Sequence, residues 1–140
     1  MIQRKQSLHL LAIIICNALL LVIPFGASAQ SGNDLLAQNN TYTLILAVAT
    51  ILISVYTALQ FKDRKKQMKL VKMLMALIIA FFLAAHMAVH GSLFSFSMDA
   101  MTSTIRIGMI FPVLSLAFAF LANKGIKKDE ELVKSVDRLR

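Results

Sequence analysis

Four long apolar runs leave this chain very few folds. They are LHLLAIIICNALLLVIPF at 8–25, YTLILAVATILISVYTALQF at 42–61, LVKMLMALIIAFFLAAHMAVH at 70–90 and IRIGMIFPVLSLAFAFLA at 105–122. About 17–25 mainly apolar residues cross a bilayer as a helix, and all four runs fall in that range. None contains Asp or Glu. Lipid offers the backbone no hydrogen-bond partner, so each run must satisfy its own N–H and C=O groups, and a helix does that. A soluble all-α core is the competing reading. It fails on composition: 58% of the 140 residues are hydrophobic and the mean hydropathy is +0.71, whereas a soluble domain averages about 45–50% apolar. The expected fold is an all-α integral membrane four-helix bundle over 1–125, followed by a short cytoplasmic amphipathic tail over 126–140.

Charge sets the expected orientation. Fourteen of the 15 Lys and Arg residues fall at the N-terminus, in the KDRKKQMKLVK hairpin between the second and third runs, or after the fourth run. Only Arg106 falls on the other side. Lys and Arg stay on the cytoplasmic face, so both termini are expected inside a bacterial inner membrane. The basic hairpin fits anionic lipid headgroups better than nucleic acid, because it borders a membrane span. A cleavable signal peptide is a second reading of the first run. Arg4 and Lys5 precede an apolar stretch, and Ala27-Ser28-Ala29 resembles a cleavage site, but the stretch exceeds the about 7–15 residues of a signal core. The single cysteine, Cys16, allows no intramolecular disulfide.

Helices in lipid associate through close packing and polar contacts. Ala76, Ala80, Ala84 and Ala88 recur every four residues in the third run, and Thr50, Ser54 and Ala58 do so in the second. These two faces are expected to meet. Asn17 and Ser115 lie near the middle of the first and fourth runs and are expected to act as interhelical contacts. Pro112, eased by Gly108, is expected to bend the fourth span.

Catalytic patterns are absent: no phosphate-binding glycine loop, no H-E-x-x-H and no nucleophile elbow. No acid lies in a span, where ion-coupled transporters usually need one. His86 and His90 share a helix face, with Met87, Met98, Met101 and Met109 on the same side of the membrane. Imidazole and thioether together suit copper, but without a third ligand fixed by spacing this pair is a weak metal candidate. Interfacial histidines with methionine as packing filler is the preferred reading. No cofactor is expected.

The finish, KKDEELVKSVDRLR, places Leu132, Val136 and Leu139 on one stripe, with Glu130 four residues before Lys134. Gly125 separates it from the fourth run. As a helix it would be marginal alone, so it needs a surface to lie on: the bilayer, the basic hairpin or a partner. The start MIQRKQSLHLLA, the hairpin FKDRKKQMKLVKMLM and the finish FPVLSLAFAFLANKGIKKDEELVKSVDRLR resemble the small four-helix membrane proteins of Bacteroidota grouped as domain of unknown function 4293. That resemblance covers essentially the whole chain. It implies four spans with both ends inside, retention of Met1 to Arg4, and no established activity. His86 and His90 are not part of its pattern. The chain is thus expected to be a non-enzymatic membrane protein that docks a cytoplasmic partner or its own copy through its basic face. A small transporter or channel subunit is the alternative.

Overall fold

A computed structural model describes residues 5–27, 33–60, 63–91 and 106–138. Four helices dominate these segments: α1 (Lys5–Leu19), α2 (Thr41–Leu59), α3 (Arg64–His90) and α4 (Ile110–Arg138). α1 packs on α2 and α4, and α3 packs on the same two, so the helices form a square bundle with sequential neighbours side by side. Three helices are long and apolar enough to cross a membrane: α2, α3 and the stretch Ile107–Leu132, which takes in most of α4.

The first run differs from expectation. Its helix ends at Leu19 rather than continuing to residue 25. At about 1.5 Å per residue, its 15 described helical residues cover about 22 Å of the about 30 Å hydrocarbon core. Pro24 explains the stop, since its ring clashes with a helical carbonyl four residues back and biases Ile23 away from the helical region. The chain tightens instead: the N–H groups of Leu21 and Val22 donate to the carbonyls of Ala18 and Leu19, three residues back. Leu20 and Phe25 on either side of this turn remain buried, while Val22 within it is exposed.

Beyond Pro24 the chain forms β1 (Gly26–Ala27), paired antiparallel with β2 (Asp34–Leu35), Gly26 opposite Leu35 and Ala27 opposite Asp34. A 3-10 turn (Ala37–Asn39) then leads into α2, whose start is capped by Asn40 Oδ1 accepting from Tyr42 N at 2.9 Å. Asp63 caps α3 by accepting from Lys66 N at 3.0 Å. α3 ends at Gly91, which takes the left-handed conformation (φ 72°) that closes a helix. A second 3-10 turn (Ile107–Met109) opens α4.

Pro112 therefore stands in the first turn of α4 and not inside it. A helix leaves its first four N–H groups unbonded in any case, so the missing donor has little cost there and no mid-span bend is needed. At the other end, α4 runs through Gly125 without a break to Arg138. The expected separate tail helix is the continuation of α4. One interior glycine costs only about 1 kcal/mol, and the burial of Ala122 and Ile126 on either side of it favours continuity.

The buried residues follow a heptad rhythm. They are Thr43, Ala47, Thr50, Ser54 and Thr57 on α2, and Gln67, Val71, Leu74, Ile78, Phe81, Ala85 and Val89 on α3. On α4 they are Pro112, Ser115, Ala119, Ala122 and Ile126. Steps of four and three alternate, as in the seam of a left-handed coiled coil. α2 contributes only small side chains, mostly hydroxyls, opposite the larger residues of α3. Each hydroxyl is satisfied locally: Thr50 donates to Leu46 O (2.6 Å), Ser54 to Thr50 O (2.7 Å) and Thr57 to Ile53 O (2.6 Å). The core divides into a cluster around Leu10, Ile13, Val71, Leu74 and Ile126 and another around Leu20, Phe25, Phe81, Ala85 and Val89.

Candidate functional site

Three polar constellations lie along the bundle. The middle one joins α1 to α4. Asn17 Nδ2 donates to Ile13 O at 2.8 Å within α1 and to Ser115 Oγ at 3.3 Å across the interface. Ser115 also hydrogen-bonds Cys16. All three side chains are buried. Asn17 thus bridges two helices. It is a structural cross-link of the kind that contributes about 0.6–2 kcal/mol in lipid.

The second constellation caps the end bearing the loops. The 24–27 segment is held from both sides. Phe25 N donates to Leu35 O at 3.0 Å, while Arg106 N and Gly108 N donate to the carbonyls of Phe25 (3.3 Å) and Pro24 (3.1 Å). A Cβ on Gly108 would stand 2.4 Å from Pro24 O, so only glycine permits this approach. Arg106 Nε meets Asp34 Oδ1 at 3.1 Å on the surface. His86 and His90 lie near the same end, with ring centroids 4.6 Å apart. Among the described residues no group of three His, Cys, Asp or Glu is close enough together to hold a metal. Met109 packs partly against the core there and Met87 is exposed. Asp99, Met98, Met101, Ser28 and Ala29 lie outside the described residues.

The third constellation is the basic end. α1 begins here, the α2–α3 hairpin turns here, and α4 leaves the bundle here. Buried Gln67 Nε2 donates to Thr57 O at 3.1 Å, tying the hairpin together. Its Oε1, like Asn123 Oδ1, has no hydrogen-bond partner. Arg64 Nη1 donates to the Asp129 carbonyl at 2.6 Å, which fastens the start of α3 to α4. Beyond that point Lys127 Nζ stands 4.0 Å from Glu131 Oε1, and Leu132 is 57% exposed. The side chains of Lys134, Val136 and Leu139 lie outside those described.

The alanine ladder does not run along the buried stripe. Ala76 is exposed, while Ala80, Ala84 and Ala88 are half-buried. Ala85 is the alanine at the centre of the α3 stripe. A step of four residues turns about 400°, so each rung drifts about 40° and the ladder turns about 120° from first to last. On α2, Thr50 and Ser54 are buried and Ala58 is partly buried against the core. The residues missed in the sequence were Thr43, Ala47, Thr57 and Gln67, all of which a search for alternating steps of four and three would have found.

A family model described as a domain of unknown function, DUF4293, matches residues 2–139. No curated protein and no solved structure matches the chain.

Proposed function

The chain belongs to the DUF4293 family, and we propose that it serves as a non-enzymatic accessory protein of a bacterial inner membrane, with both termini cytoplasmic, that docks a protein partner through the projecting part of α4. The observation that carries this reading is the unbroken course of α4 past Gly125, which holds the exposed Leu132 on the same helix, about one turn past the contact between Arg64 and Asp129. An exposed leucine on a charged helix offers apolar surface that a partner could bury. The orientation rests on charge in the sequence: fourteen of the 15 basic residues fall at the N-terminus, in the hairpin or after the fourth apolar run.

Two experiments test the proposal. Reporters fused after Gln67 and Arg140 should read cytoplasmic and one at Asn39 external; an external reading at Arg140 refutes the orientation. A photo-crosslinking residue replacing Leu132 in native membranes should give one discrete adduct, absent when the crosslinker replaces Leu52 on the lipid-facing side of α2. An adduct of twice the chain mass identifies a second copy as the partner. No adduct at position 132 defeats the docking reading.

A transporter or channel subunit is the second reading, favoured by seven buried polar side chains among the described residues: Asn17, Thr43, Thr50, Ser54, Thr57, Gln67 and Ser115. The hydroxyls of α2 weaken it, because they donate to carbonyls of their own chain. Solute flux into liposomes carrying the purified protein would revive it.

A further inference from the structure

We propose that Lys69, Lys72 and Lys124 form a belt that binds anionic phospholipid headgroups at the basic end of the bundle. The contact between Arg64 and Asp129 sets the register of the antiparallel pair α3 and α4. Five residues along each helix from it, about 7.5 Å into the bundle, Lys69 stands level with Lys124. Lys72 lies one turn deeper. All three side chains are exposed, although the apolar run of α3 has already begun at Leu70. A lysine placed at such a boundary lays its alkyl stem along the apolar surface and lifts its ammonium to the headgroup phosphates.

The acids at this end are segregated from the belt. Among the described side chains they are Asp63, Asp129, Glu130 and Glu131, and every one lies further from the bundle than Lys69 and Lys124. Asp63 caps α3, Glu131 stands beside Lys127, and Asp129 and Glu130 have partners of their own. At the level of the belt no described carboxylate competes for the three ammonium groups. The outer cations Lys65, Lys66, Lys127 and Lys128 share their level with those acids. The charge pattern is therefore layered, with cations next to the apolar zone and mixed charge beyond it. A layer of uncompensated lysines at the apolar boundary fits the phosphate of a lipid with net negative charge. It gives little preference for a zwitterionic headgroup, whose own ammonium repels it.

The inference rests on α2, α3 and α4 crossing a bilayer, which resistance to carbonate extraction tests separately. It is independent of which leaflet the belt faces. Each lysine near an anionic surface contributes about a fivefold preference. The protein is reconstituted in mixed phosphatidylglycerol and phosphatidylcholine bilayers, and the relative association of spin-labelled versions of the two lipids is measured. The full chain should prefer phosphatidylglycerol at least tenfold. Replacing the belt together (Lys69→Gln, Lys72→Gln, Lys124→Gln) should bring the preference below twofold. Removing three outer charges (Lys65→Gln, Lys66→Gln, Lys128→Gln) should leave most of it. A wild-type preference under twofold overturns the proposal without any variant. Equal losses in the two triple variants also overturn it, since diffuse charge then suffices. Displacement of the lipid by inorganic phosphate at constant ionic strength overturns it in favour of a soluble anion.

Discussion

The two ends of the bundle are closed in opposite ways. At the loop end, backbone meets backbone: Pro24 and Phe25 are clasped between Leu35 and the 106–108 segment, and glycine at 108 lets the chains touch. At the basic end, side chains reach to backbone: Gln67 to Thr57 and Arg64 to Asp129, after which α4 continues to Arg138. Backbone clasps depend on shape and tolerate little change. Side-chain ties allow sequence variation and leave the surface around them charged and open. The contrast assigns structural closure to the loop end and availability to the basic end.

The sharpest way to break this comparison is at Gly108. Gly108→Ala forces a Cβ into backbone atoms at 2.4, 2.7 and 2.9 Å, none of which is a flexible side-chain tip. We expect a loss of about 3 kcal/mol, measured as a lower unfolding midpoint in detergent. A wild-type midpoint would mean that the clasp yields and that the loop end is no tighter than the other. Next in size is Ala85→Leu, which overfills the core beside Phe81 and Val89 and should cost about 2 kcal/mol. Ala76→Leu, at an exposed position, should stay within about 0.5 kcal/mol. Equal costs would show that the stripe is misplaced.

The same pair shows what the sequence could and could not disclose. Length and apolarity made the helices of the bundle legible. Asn17 and Ser115 were visible as polar residues at mid-span, and the structure joins them. The alanine ladder attracted attention because four identical residues in register are conspicuous. Packing depends on angle around the helix, however, and a spacing of four drifts away from the seam. The small hydroxyl stripe of α2 keeps the 3.5-residue period but varies in residue type, so it was seen only at Thr50 and Ser54. Pro24 was counted as part of an apolar run, although its ring ends α1 several residues earlier. Gly125 was taken as a break, although burial on both sides outweighs its modest helix penalty. The clasp around Gly108 was not legible, because it depends on segments more than 80 residues apart meeting backbone to backbone.

At the basic end smaller effects are expected. Arg64→Ala removes the tie to Asp129 and should cost about 1 kcal/mol globally. Its larger consequence should be local, with faster proteolytic cleavage after Lys127 or Lys128 on intact membranes. An unchanged cleavage rate would show that α4 holds its course without the tie. The smallest effect belongs to Arg106→Gln. Its partner Asp34 and the arginine are about half exposed, so the loss should be about 0.5 kcal/mol or less and vanish in high salt. A larger, salt-independent loss would mean that the loop end is held by charge as well as by its backbone.

The unbroken α4 has a mechanical consequence. A rod has no joint at which to absorb rotation, so its outer end follows whatever its inner end does. From Gly125 to Arg138 the rod reaches about 20 Å, and a tilt of about 10° displaces its tip by about 3.5 Å. Membrane helices answer a change in bilayer thickness by tilting. For this rod, such a change registers as a sideways stroke at Leu132 and beyond, as a compass needle swings wider at its point than at its pivot.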